Sequence, residues 1–413
     1  MPDNLTLLRE KVYQQRLHVG KLRREAFDQS DPQAAVFIDL TAAEISLAQM
    51  EAQLAAAEPP DPQRGLVAQL NTVSGGAGTL LGAETTGLLA QVHLRMEQVP
   101  TAIYHLLDPS TDPLLTCTVT NYSSNIRRLR VTSFIEGYSA KAIHTAEIDP
   151  DSSKPYDFKQ SPTLFPDSLH SLNELTRATL NVMVEDLDNG KVELHTTYPI
   201  WLLARTTAPL SVRDLKTGAW KDLTPYLGAF VTPNVPSLMG FLRVAASLAP
   251  QKRLVGYQGD KNVVEPQAKA LFDALKSAEI TYVNSIISFS LDQGLSTQRV
   301  RLPRESIDQK EANCIDGTVL FASLLEGISL NPALVIVPGH AFVAWSTWAD
   351  ATGVWQFLET TMVGTDTFEE ARTMGDANAA RYKALAEVTN NPAAFTLWPL
   401  RTLRTERKIT PME

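Results

Sequence analysis

The sequence predicts a multidomain α+β protein in three parts: an N-terminal helical hairpin, an antiparallel β-sandwich and a C-terminal α+β domain. Three observations carry that reading. The 413 residues exceed what one domain of roughly 100 to 200 residues accounts for. Apolar spacing is helical near the start, period two in the middle, and mixed toward the end. Proline-rich breaks separate these stretches, which divide the chain into 1–58 (hairpin), 59–109 (connecting segment), 110–250 (sandwich with a connection) and 251–413 (C-terminal domain).

Composition bounds the function. Apolar residues make up 44% and charged ones 20%, ordinary for a folded globular chain and inconsistent with a fibrous repeat or wholesale disorder. Lys plus Arg total 37 against 46 Asp plus Glu, a net charge of -9, so no nucleic-acid partner is expected. The two cysteines, Cys117 and Cys314, form no CxxC pair. A disulfide framework and a Cys-based zinc site are therefore not expected, the expected location is a reducing cytoplasm, and no metal or other cofactor is implied. The N-terminus has no apolar leader, and no run of about 18 apolar residues occurs, so neither signal peptide nor membrane span is expected.

The hairpin rests on two runs. Leu5, Leu8, Val12, Val19, Leu22 and Ala26 keep a 3,4 spacing interrupted only by Gln15. Val36, Leu40, Ala43, Leu47, Met50, Leu54 and Ala57 keep it without a break, after Asp31 as a candidate cap and Pro32 in the first turn. From Leu5 to Asp28 there are six basic and three acidic residues; from Ala34 to Ala57 there are Asp39, Glu44 and Glu51 and no base. The two helices attract each other. They either pack on themselves alone or serve as a recruitment module for a partner or a second copy.

Glu58-Pro-Pro-Asp-Pro ends the second helix, since proline has no amide donor and its ring blocks the preceding turn. The following glycine cluster, Ser74 to Gly78, lacks the Gly-Lys-Ser/Thr ending of a phosphate-binding loop. A short helix is expected from Thr86 to Met96. Period-two alternation begins at Leu115, Cys117 and Val119 and returns at Leu129 to Ile135, Thr179 to Val184, Val192 to Thr197 and Ile200 to Leu203. Turn clusters such as Asp188-Asn-Gly190 separate these runs, and the spacing suggests an Ig-like sandwich over about 110 to 210. Cys117 shares the phase of its apolar neighbours and is expected in the core. Pro233 to Leu248 is read as an apolar connection, and helical spacing resumes after Pro266 at Leu271, Leu275 and Ile280.

Chemistry concentrates near Cys314. Asn313-Cys314-Ile-Asp316 opens a helix whose apolar face is Val319, Ala322 and Leu325. A thiol at a helix N-terminus meets the positive end of the dipole and unpaired amides, which favour thiolate over thiol. Asp316 suits the first turn of that helix for the same reason. His340 is the only histidine after His195, and it starts one of two strands, Ala333 to Val337 and Ala341 to Trp345. A third group should orient the imidazole. The turn Asp350 to Gly353 folds the next strand back, bringing Glu359 to the His340 side. Trp345, Trp348 and Trp355 cluster on this hairpin as core or cleft-wall aromatics. Taken singly, a Cys at a helix start and a His on a strand also suit purely structural roles. The order Cys, His, acid on helix, strand, strand distinguishes them.

That order resembles the transglutaminase-like branch of the papain-like cysteine peptidases. The bacterial form of the domain is similar over Gln298-Arg-Val-Arg-Leu-Pro303, Asn313-Cys-Ile-Asp316, Leu320-Phe-Ala-Ser-Leu-Leu-Glu326 and Gly339-His-Ala-Phe-Val343. The likeness spans about Pro266 to the C-terminus. It implies Cys314 as nucleophile, His340 as base, Glu359 where the family usually has Asp, and Gln298 as an oxyanion donor beside the Cys314 amide. The hairpin, through Leu22-Arg-Arg-Glu25 and Asp31-Pro32, resembles helical adaptors of bacterial conflict-system effectors. The resemblances imply an intracellular cysteine peptidase acting on a protein substrate, recruited in a bacterial defence system. A crosslinking transglutaminase and a non-enzymatic scaffold are the alternatives.

Deleting residues 1 to 57 is expected to abolish self-association or partner pull-down, measured by light scattering and affinity capture, while the remaining chain stays folded. Unchanged association overturns the recruitment reading.

Overall fold

The computed structural model describes residues 79–81 and 87–412, apart from 152, 214–219, 284–294 and 351–352, together with single positions between Leu7 and Met50. The chain divides into two compact units, Met1–Val73 and Ser74–Glu413. In the first, every described position is helical, Leu22 and Ala43 are buried, and the Gln15 side-chain amide donates to the Ala43 carbonyl over 2.9 Å. The residue that interrupts the apolar spacing thus links the two runs. Most of the hairpin expected at 1–58 lies outside the described residues.

The second unit is mixed α+β and begins with two sheets enclosing one apolar core. One sheet has the order β1-β2-β4-β7, built from β1 (Thr79–Leu81), β2 (Leu88–Leu94), β4 (Leu115–Asn121) and β7 (Tyr156–Gln160). The other has the order β3-β9-β8-β5-β6, from β3 (Gln98–Val99), β5 (Arg127–Ile135), β6 (Ala142–Ile148), β8 (Thr176–Asp186) and β9 (Lys191–Leu202). Neighbours run antiparallel except β3 beside β9. Alternation drives the packing: Leu115, Cys117 and Val119 meet Leu129, Val131, Leu180 and Val182 in one buried cluster. Cys117 is fully buried, and burial followed by the nearby Asp157 charge pushes its thiol up to about 12.

Two expectations fail here for physical reasons. Residues 88–94 form β2 and not a helix: Leu88, Ala90, Val92 and Leu94 all face the core with period two. Leu88 and Val92 also satisfy a helical i,i+4 spacing, and this produced the misreading. The runs expected as separate strands at 192–197 and 200–203 form one strand, β9, which carries Pro199. Its outer neighbour β3 covers only Trp201 and Leu202, so the proline stands where no outer ladder bond is lost.

A second core joins Ala102 and Ile103 to residues from Ala208 onward. A small sheet has the order β11-β10-β13, from β10 (Thr207–Arg213), β11 (Trp220–Asp222) and β13 (Leu295–Arg299). A parallel pair joins β12 (Thr281–Tyr282) to β14 (Glu311–Ala312). A four-stranded sheet has the order β17-β16-β15-β18, from β15 (Pro332–Val337), β16 (His340–Ser346), β17 (Trp355–Leu358) and β18 (Thr396–Pro399). The helices are α1 (Pro236–Leu248), α2 (Val264–Ser277), α3 (Pro303–Gln309), α4 (Cys314–Gly327), α5 (Phe368–Thr389) and α6 (Leu400–Thr405). Thus Pro233 to Leu248 is no mere connection. Pro236 opens α1, where a missing amide costs nothing, and Leu238, Phe241 and Ala245 bury its inner face. No described helix is long and apolar enough to cross a membrane.

Layering positions the site. Helix α4 is buried continuously from Ile315 to Leu325, more than the single face expected of it. Leu334, Ala341, Val343 and Leu358 turn toward it, while Ala333, Val335, Phe342 and Phe357 turn to the opposite side with Ala379 and Tyr382 of α5. An added Cβ on Gly375 would fall 2.6 Å from the Leu358 backbone nitrogen, so the glycine lets α5 lie directly on β17.

The chain's later part is pinned to this core by Arg404. Its guanidinium donates to both Glu326 carboxylate oxygens, each at 3.1 Å, and to the carbonyls of Gly228 (2.9 Å), Val231 (2.8 Å) and Ile409 (2.8 Å). Arg404→Met should cost about 3 kcal/mol of stability, because Glu326 and three carbonyls lose their donor. Arg404→Lys should recover little, since one ammonium cannot span the fork. Denaturant midpoints of the three proteins test this.

Candidate active site

Cys314 owes its place to its neighbours. Asn313 caps α4: its side-chain oxygen accepts from the Ile315 and Asp316 amides, both at 2.9 Å, and the Asp316 carboxylate returns to the Asn313 amide at 3.1 Å. The cap leaves the Cys314 amide untaken. Asp316 is fully buried, and Arg301 reaches it through its backbone amide (2.8 Å) and guanidinium (3.0 Å). Burial still outweighs these contacts and raises the Asp316 carboxyl above its ordinary value. Asp316 thus lies in the first turn, as expected, and closes the capping box with Asn313. Gly317 lets Thr360 close in, since a Cβ there would lie 3.0 Å from the Thr360 hydroxyl. Both Thr318 (2.7 Å) and Thr360 (3.5 Å) donate to the Cys314 carbonyl.

His340 begins β16 just after Gly339, whose φ of 71° is left-handed. The pairing of Val343 with Leu358 sets Glu359 across from Phe342, diagonal to His340 on the same face. The Glu359 carboxylate accepts His340 Nε2 at 2.7 Å. It also accepts the Asn378 amide (3.1 Å), the Thr361 backbone amide (3.1 Å) and the Thr361 hydroxyl (2.8 Å). Cys314 also lies close enough to the imidazole to favour its charged form. With Nε2 engaged by Glu359, Nδ1 is the nitrogen left for the thiol.

The electrostatics are those of a coupled pair. Burial alone would push the imidazole down, but Glu359's charge and hydrogen bond, together with the nearby Cys314, hold it well above 6.5. Burial alone would raise Glu359; His340 and Thr361 bring it below 4.5 instead. Glu359's side chain is 4% exposed and His340's 25%, so the carboxylate is sealed while the imidazole stays open to solvent.

The structure therefore brings Cys314, His340 and Glu359 together. Gln298 lies within β13 opposite Ala208 and makes no hydrogen bond to these three among the described residues. Trp345 is wholly buried, bonded to Gln356 (2.9 Å) and covered by Arg372, while Trp348 packs edge-on against Tyr257. Sequence reasoning missed Asn378, Thr361 and Tyr282. Thr361 could have been found as the residue that Glu359 caps. Asn378 lies one turn after Gly375, the close-contact glycine, and Tyr282 had no signal because its strand partner Ala312 is distant in the chain.

A thiol facing an imidazole that a buried carboxylate orients is equipped for nucleophilic attack and proton transfer. No family model matches the chain, and no curated protein is significantly similar to it.

The shifts fix a pH signature. A raised His340 contributes stability fully below its unfolded value near 6.5 and loses it as pH climbs through the folded value. A lowered Glu359 contributes above about 4.5 and loses it as pH falls through its folded value. Glu359→Gln should thus destabilise most between these limits, and burial should then bring His340 below 6.5. NMR titration of the imidazole checks the sign: charged at neutral pH in the parent, neutral in the variant.

Proposed function

We propose that this chain is a cysteine peptidase that works by acyl transfer on a protein substrate. The observation that carries the reading is the 2.7 Å bond from His340 Nε2 to a buried Glu359, on an imidazole that also engages Cys314 at the start of α4. Cys314 attacks an amide carbonyl as thiolate, His340 protonates the departing amine, and water resolves the thioester with His340 as base. Glu359 supplies the negative charge that favours imidazolium, and its longer reach than Asp is accommodated by Asn378 and Thr361.

The motifs around Gln298, Asn313, Leu320 and Gly339 support assigning the domain to the transglutaminase-like, papain-like class, and the two-sheet core supports an Ig-like module before it. The hairpin's likeness to conflict-system adaptors supports a recruited effector in bacterial defence. Both described cysteines are free thiols, which fits a cytoplasmic setting.

Cys117 is an internal control for the test. Near neutral pH, iodoacetamide should label Cys314 at least about tenfold faster than a free thiol, leave Cys117 untouched, and find no site in Cys314→Ala. Incubation with candidate proteins followed by mass analysis should yield fragments; joined masses with ammonia loss point to crosslinking. A Cys314 no more reactive than a free thiol, with Cys314→Ala behaving as the parent, overturns the enzymatic reading.

A further inference from the structure

The acyl-transfer reading leaves one role without an assigned contact. Attack on a carbonyl drives an electron pair onto its oxygen, and catalysis needs donors aimed at that charge. The Cys314 amide supplies one. Gln298, opposite Ala208 in β13, makes no hydrogen bond to Cys314, His340 or Glu359 among the described residues.

Tyr282 is placed differently. Strand β12 runs parallel to β14, with Tyr282 opposite Ala312, two residues before Cys314. Bonds from the Thr281 amide to the Lys310 carbonyl (2.9 Å) and from the Val283 amide to the Ala312 carbonyl (3.0 Å) clamp it on both sides. Its ring lines a cleft with Ala312, Gly317, Thr360 and Thr361, at the first turn of α4. Thr360 in turn touches the Cys314 carbonyl. Tyr282 is 37% exposed, an aromatic open to solvent, and its hydroxyl has no hydrogen-bond partner among the described residues.

We propose that the Tyr282 hydroxyl donates a hydrogen bond to the oxyanion formed when Cys314 attacks a carbonyl; the inference rests on the acyl-transfer reading above. Burial, then the charges of Cys314, Glu359 and Asp316, raise the phenol above its ordinary value, so it keeps its proton and serves as a donor. In the step, the Cys314 Sγ to carbon bond forms and the carbonyl π pair moves to oxygen. Tyr282 and the Cys314 amide hold that charge, and on collapse the pair returns while the leaving group departs with a proton from His340.

Two reagents separate this role from nucleophile activation. Iodoacetamide alkylates sulfur at a tetrahedral carbon with no oxyanion, whereas p-nitrophenyl acetate requires one. In Tyr282→Phe, alkylation of Cys314 should match the parent, which also reports an intact fold, and the p-nitrophenolate burst should slow by about a hundredfold. Gln298→Ala should leave both rates near the parent's. If both reactions keep parental rates in Tyr282→Phe, or both slow together, or Gln298→Ala alone loses the burst, the Tyr282 assignment is overturned. A parent Cys314 that reacts with neither reagent overturns the acyl-transfer reading, and this inference with it.

Discussion

A helix that is mostly apolar all round can exist in water only if something covers every side. Helix α4 sets this condition for the second core: Ile315 to Leu325 are buried without a gap, so the chain must supply a sheet on one flank and helices on the others. Leu334, Ala341 and Val343 provide the sheet, and Phe241, Ala245, Leu271 and Leu275 provide helical cover. The helix emerges at its two ends, where Cys314 is partly open at the N-terminus and Glu326 and Gly327 at the C-terminus. Exposure of the thiol is thus a result of covering the rest of the helix.

The second organising group is the Glu359 carboxylate. A charge this far from solvent is costly unless donors surround it, and four donors from His340, Asn378 and Thr361 do so. They come from different elements: His340 from the first position of β16, Asn378 from α5, and Thr361 from the turn after β17. The site therefore forms at the sheet margin, where α4 contributes the sulfur and α5 steadies the acid. Each layer has one polar task at a junction otherwise filled with Leu, Val and Phe.

Much of this was legible in the sequence. Strands β4, β5 and β8 declared themselves by strict alternation, and Cys314, His340 and Glu359 by residue type and order. The failures share a cause. Leu88 to Leu94 satisfied two periods at once, and only the partner strand β4 decides between them. Pro236 read as an interruption because proline punctuates connections as well as first turns. Asn378 and Tyr282 acquire meaning only through a close-packed glycine and a parallel strand pair, contacts between segments far apart in the chain. Gln298, marked by motif, makes no hydrogen bond to Cys314, His340 or Glu359 among the described residues.

The Arg404 fork also bears on the order in which the molecule assembles. Its carbonyl partners at Val231 and Gly228 stand 173 and 176 residues away, so the fork can form only after a very long loop has closed. Contacts of such sequence separation delay folding, because the entropy of closure is spent before the bonds are gained. The sandwich, whose main strand neighbours β2–β4, β5–β6 and β8–β9 are near in sequence, has no such wait. Maturation of this chain should then proceed with the sandwich set first and α4 still uncovered, the interval in which it is most open to aggregation or to a chaperone's grip.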